Sequence, residues 1–148
     1  DGREMVDLGF NFCIASSARK TKGAPRIKLG AVPHYTYKAN VLEVLDGDTI
    51  WVDVELGFNT WTTQKLRFRG INSAEVITAE GKIAKDYAIA RLSACKFIAI
   101  KTYWRDKYTR YLADVFYDKD ETDLTKLIAS GKFLNQELLD EGYAVWYE

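Results

Sequence analysis

The strongest constraint on this chain is a run of alternating residues between Tyr37 and Gly70. YKANVLEVL, TIWVDVEL and TWTTQKLRF are three strand candidates in succession. In the second, Ile50, Val52, Val54 and Leu56 fall on one face, and Trp51, Asp53 and Glu55 on the other. Alternation with period two gives a strand one apolar face and one polar face, which a helix of the same sequence would scatter. Asp46-Gly47 joins the first two segments, and Asp-Gly favours a two-residue turn of type I′. A loop around Gly57 and Asn59 joins the last two. The stretch therefore predicts a three-stranded meander.

The remainder completes the pattern. Residues 80 to 93 predict a helix with Ile83, Tyr87, Ala90 and Arg91 at helical spacing. KFIAIKTYW and RYLADVFYD predict a second hairpin across DKYT. DLTKLIAS and FLNQELLDEG predict two helical pieces closed by Gly131 and Gly142. No internal repeat is apparent. The fold class is mainly β with helices (α+β): an OB-type five-stranded barrel in the order β-β-β-α-β-β-α.

Residues 1–36 read as an N-terminal extension, and residues 37–148 as the barrel domain. In the extension, Met5, Leu8, Phe12 and Ala15 fit a helix face, while Leu8, Phe10, Phe12 and Ile14 fit a strand. The Ala/Ser/Arg-rich continuation to Lys22 favours the helix, with a connector from Gly23 to His34. The chain begins at Asp1 rather than Met and is expected to be a piece of a longer protein. No signal-peptide or membrane-spanning pattern is visible, and the compartment is left open.

Charge and cysteine use exclude several functions. The formal net charge is zero, which argues against very tight nonspecific binding to nucleic acid. Residues 1–38 hold seven Lys and Arg against three acids, and the rest fourteen against eighteen. RKTKGAPRIK, residues 19–28, holds five basic residues and no acid: a solvated segment or a phosphate-contacting arm. Cys13 and Cys95 lack zinc-ligand spacing and read as free thiols. His34 is the only histidine, so histidine-based catalysis is a poor expectation.

Three places offer charge at strand ends. Asp48 is a second acid after Asp46-Gly47 that turn chemistry does not require, and hard cations take such oxygens. In LRFRGINSAE, Arg67 and Arg69 share a strand face ahead of a turn that ends at Glu75. A guanidinium is a rigid fork suited to phosphate oxygens, though a solvated strand face is the simpler reading. In DKYTR, Arg110 follows a hairpin tip, where a plain Asp106–Arg110 pair is the simpler reading.

YKANVLEVLDGDTIWV, LRFRGINSAE, DKYTRYLADV and FLNQELLDEGYA, in this order and spacing, resemble the staphylococcal nuclease family over roughly residues 37 to 148. The resemblance implies an OB-type barrel and calcium-dependent hydrolysis of phosphodiesters in single-stranded DNA or RNA. It implies Asp48 as a calcium ligand, with Asn72 and the Ser73 carbonyl beside it. It implies Glu75 as general base, Arg67 and Arg110 as catalytic arginines, and Lys107 and Tyr108 as nucleotide contacts. The chain departs from the family where Asn72 replaces a carboxylate ligand and Ala74 replaces a proline. Weak Ca²⁺ binding is the expected consequence. Two alternatives remain: a catalytically weakened domain that binds nucleic acid, and a protein-interaction domain docked to a longer parent chain through its N-terminal segment.

Overall fold

The computed structural model describes residues 5–15 and 35–147. The basic stretch 19–28, the connector and His34 lie outside the described residues. The elements are β1 (Met5–Gly9), β2 (Phe12–Ala15), β3 (Thr36–Asp46), β4 (Thr49–Gly57), β5 (Thr60–Phe68), β6 (Ile71–Ser73), α1 (Ala79–Leu92), β7 (Ile98–Arg105), β8 (Tyr111–Tyr117), α2 (Leu124–Ser130), β9 (Lys132–Phe133), α3 (Leu134–Asp140) and β10 (Ala144–Trp146).

The alternation in β4 and β5 sets the barrel. Ile50, Val52, Val54, Leu66 and Phe68 are buried, while Trp51, Asp53, Glu55 and Lys65 lie on the outer face. Strands run in the order β5-β4-β3-β7-β8, and β5 then pairs in parallel with β8 through Leu66↔Tyr111, Arg67↔Leu112 and Phe68↔Ala113. Closure leaves no bare edge along this seam. It also sets Arg67 beside Leu112, two residues after Arg110. Asn135 of α3 braces the seam: its Oδ1 accepts from Val115 N–H at 3.0 Å, and its Nδ2 donates to the carbonyls of Arg69 and Ala113. A buried amide with its bonds made fixes the surrounding backbone.

Four expectations need correction. The first segment is not a helix over residues 5–15: β1 and β2 form an antiparallel hairpin. The strand reading prevails because Leu8 and Phe10 bury against the barrel, joining the same core as Ile50 and Leu66. The turn at Asp46-Gly47 is not type I′, since neither Gly47 nor Asp48 has a positive φ. Gly47 is needed for room: a Cβ there would lie 2.6 Å from Ala84 Cβ and 2.8 Å from Ser73 Cβ. Helix α1 buries Gly81, Ala84, Ala88 and Leu92 rather than the predicted face. Small side chains let it lie close to the turn and to β3, and Ile83 is left 51% exposed.

The fourth correction concerns repetition. Leu-Gly-Phe-Asn occurs at residues 8–11 and again at 56–59. Both copies form turns with positive φ at Gly, Phe and Asn.

No helix of the described residues is long and apolar enough to cross a membrane. Cys13 and Cys95 are free.

Candidate active-site cleft

A cleft of about 750 Å³ opens where the barrel seam meets the β5–β6 turn and the β7–β8 hairpin tip. Asp48, Arg67, Asn72, Ser73, Glu75, Lys107, Tyr108 and Arg110 all line it. The eight residues singled out in sequence thus come together from three separate turns.

Asp48 is the buried anion of the cleft. Its Oδ2 accepts from Ser73 N–H at 2.7 Å, its Oδ1 accepts from the Thr49 hydroxyl at 2.9 Å, and the Arg67 guanidinium forms an ion pair with it. Burial alone would push the Asp48 carboxyl up. A hydrogen bond shared with Asp46, the Ser73 N–H and the Arg67 charge outweigh burial and hold it below the usual range. Asp46 moves the opposite way: burial, and then its hydrogen bond with the Asp48 carboxylate and that group's charge, raise it. Two close carboxyls divide in this manner because both cannot ionise cheaply.

Arg67 is 8% exposed, so the solvated-face reading fails. Its guanidinium bridges Asp48 and the Asn72 Oδ1, the latter at 2.8 Å. Arg69 separates from it. Arg69 makes a two-pronged pair with the buried Asp114 at 2.8 and 2.9 Å and stacks over Tyr103, whose hydroxyl also donates to Asp114.

Arg110 lines the same cleft as Arg67, from the end of the hairpin tip. Asp106 organises that tip by accepting from the N–H groups of Tyr108 and Arg110 and from Arg110 Nε, each at 2.9 Å. The simple Asp106–Arg110 pair is therefore present, and Arg110 lines the cleft as well. Burial raises the Asp106 carboxyl, but the Arg110 N–H, the Arg110 side chain and the Tyr108 N–H outweigh it and hold it low. Tyr108 is 64% exposed and lies under both Lys107 and Arg110.

Glu75 is exposed, and its carboxylate has no partner among the described residues. Its backbone is held instead. The Thr78 hydroxyl donates to the Glu75 carbonyl at 2.7 Å and accepts from Gly81 N–H at 3.0 Å, so the cap of α1 fixes this loop. A Cβ on Gly81 would sit 1.9 Å from that carbonyl.

Two cleft residues escape a reading for charge. Trp146 and Tyr147 line the wall because β10 pairs with β6 through Ala144↔Ser73, Val145↔Asn72 and Trp146↔Ile71. Their signal was the aromatic and β-branched run YAVWY at the end of the chain. Asp46, taken in sequence as a turn residue, lines the cleft too.

The donor chemistry suits a hard cation in kind: the Asp48 carboxylate, the Asn72 amide and the Ser73 carbonyl are all oxygens. It is poor in charge. No group of three or more His, Cys, Asp or Glu side chains arranged for a metal occurs among the described residues, and Arg67 already contacts two of the donors.

A small closed barrel carrying two arginines and carboxylates in one cleft defines a class suited to phosphate esters. The chain belongs to the staphylococcal nuclease homologue family, whose model matches residues 65–148. Asp48 precedes the matched stretch, and the other seven residues lie inside it. A comparison with curated proteins finds no match. Family membership points to a nuclease or nucleic-acid-binding role.

Proposed function

We propose that the chain hydrolyses phosphodiester bonds in single-stranded DNA or RNA. The observation that carries this reading is the convergence of Arg67, Arg110 and Glu75 on one cleft beside the buried Asp48. Glu75, with its carboxylate unengaged among the described residues, takes the proton from an attacking water. Arg67 and Arg110 neutralise charge on the nonbridging oxygens, with the largest gain in the transition state. Asp48 and Asn72 position Arg67, and Asp106 positions Arg110. Lys107 and Tyr108 hold the adjoining nucleotide, where a ring face and a cation suit base and phosphate.

Asp48, Asn72 and the Ser73 carbonyl would hold Ca²⁺, which supplies Lewis-acid polarisation of the phosphate when bound. With Asn72 neutral, binding is weak, on the order of millimolar as in low-affinity extracellular sites. Asn72→Asp tightens it, and calorimetric titration of both variants measures the change. Equal affinities would remove Asn72 from the ligand set.

A second reading is a binding module with weakened catalysis. Specific contacts favour it: both arginines are already paired with aspartates. Incubation with single-stranded DNA and RNA, with calcium or chelator, separates the two on a gel. Calcium-dependent degradation supports the nuclease, and a shift without degradation supports the module. Arg110→Ala should cost about 10²–10³ in rate while the fold persists. Cleavage at the parent's rate would sink the catalytic assignment.

A further inference from the structure

A second groove, of about 590 Å³, adjoins the cleft and lies between the outer face of β4–β5 and the β7–β8 tip. Trp51, Thr63, Gln64 and Lys65 line one side, and Tyr108, Thr109 and Arg110 the other. Tyr108 and Arg110 also line the cleft, so the two spaces adjoin at these residues. Trp51 and Lys65 are direct cross-strand partners, with the Lys65 ammonium 6.0 Å from the indole centroid. Across the groove, Lys107 and Arg110 lie 5.0 and 5.2 Å from the Tyr108 ring.

Each side therefore carries an aromatic ring with a cation over it, and no acid among the described residues lines the space. Planar faces with adjacent cations suit a ligand that alternates flat rings and phosphates. The outward residues of β5 step from Arg67 to Lys65 at about 6.8 Å per two residues, a stride close to that of an extended nucleic-acid backbone. Farther along the same face Asp53 and Glu55 follow Trp51, which ends the favourable path.

We propose that this groove is a further nucleotide subsite. The base of the nucleotide beyond the Tyr108 position stacks on Trp51, and Lys65 meets its phosphate. The inference rests on reading the cleft as a site for single-stranded nucleic acid. It adds the direction in which the strand leaves, over the hairpin tip and onto β4–β5.

The test is fluorescence anisotropy with end-labelled oligothymidylates of increasing length from the dinucleotide, in chelator so that none is cut. The parent should bind more tightly as the strand grows beyond the dinucleotide. Trp51→Ala should lose about tenfold or more on the longer strands and leave the dinucleotide unchanged. Trp51→Phe, which keeps a ring and guards against a folding defect, should retain most of the gain, and Lys65→Gln should flatten its salt dependence. An affinity that does not rise with length, or a rise that survives Trp51→Ala, overturns the subsite. Equal competition by polyglutamate of matched charge overturns it in favour of a general anion surface. A parent that binds no oligonucleotide at all overturns instead the reading of the cleft.

Discussion

The two Leu-Gly-Phe-Asn turns have the same local sequence and nearly the same backbone. Gly9, Phe10 and Asn11 have φ values of 85°, 51° and 65°, and Gly57, Phe58 and Asn59 have 82°, 53° and 56°. Their surroundings are opposite. Phe10 is 7% exposed and packs on Tyr37 and Tyr111, with ring centroids 5.4 and 4.7 Å away. Phe58 is 73% exposed. A Cβ on Gly9 would lie 2.1 Å from the Tyr37 hydroxyl, whereas Gly57 has nothing within 4 Å. Four residues suffice to form the turn, and the turn does not decide where its phenylalanine goes.

The largest test of this contrast removes the rings. Phe10→Ala should cost about 3–5 kcal/mol, the usual penalty for emptying a packed aromatic site. Phe58→Ala should stay within about 0.5 kcal/mol, as for an exposed position. Urea midpoints of the two variants measure the gap, and similar losses would break the comparison.

The next test uses pH. The Tyr37 hydroxyl donates to the Leu8 carbonyl at 2.8 Å. Burial first, and then the Asp7 charge, push the Tyr37 hydroxyl up from 10.0 to about 12. The folded state thus favours the neutral hydroxyl more than the unfolded state does. The resulting stability, about 2–3 kcal/mol, is complete below the unfolded value near 10 and is lost as pH rises toward 12. Thermal melts should fall over that alkaline window, and Tyr37→Phe should fall less. Identical alkaline profiles would remove Tyr37 as the cause.

The smallest effect comes from the glycines. Gly57→Ala meets only the cost of a positive φ, about 1 kcal/mol. Gly9→Ala meets the same cost and also displaces the Tyr37 hydroxyl. It should be the more destabilising of the two by chemical denaturation, and the order reversed would show that the hairpin yields at no cost.

The cleft divides in a similar way. Asp48, Arg67, Glu75 and Arg110 were visible as charges at strand ends and turns, and what joined them into one site was the resemblance of the ordered motifs to a known family. Of their partners only Asp106, four residues before Arg110, was legible too. Arg67 and Arg69 look alike on an alternating strand, yet one is buried against Asp48 and the other is held by Asp114. The Arg69 pair arises from the parallel β5–β8 seam, which joins segments far apart in sequence, and the Arg67 pair from the β4–β5 register, where Thr49 lies opposite Arg67. Trp146 and Tyr147 reach the cleft through the β6–β10 pairing, another contact with no local signature. The face of α1 was misread because its buried side is Gly and Ala, whose weak apolar signal conveys close approach rather than amphipathicity.

By itself the amino-acid sequence determined the five barrel strands, the barrel class and the set of charged residues proposed to act in the cleft. Period-two alternation, turn chemistry and charge are local properties, carried by each segment wherever it lies. Tertiary structure alone decided that Phe10 is core and Phe58 surface, that Asp48 clamps Arg67, and that a groove leads from the cleft past Tyr108 to Trp51. Burial, ion pairing and pKa displacement depend on which distant segment excludes water from a side chain, and barrel closure settles that.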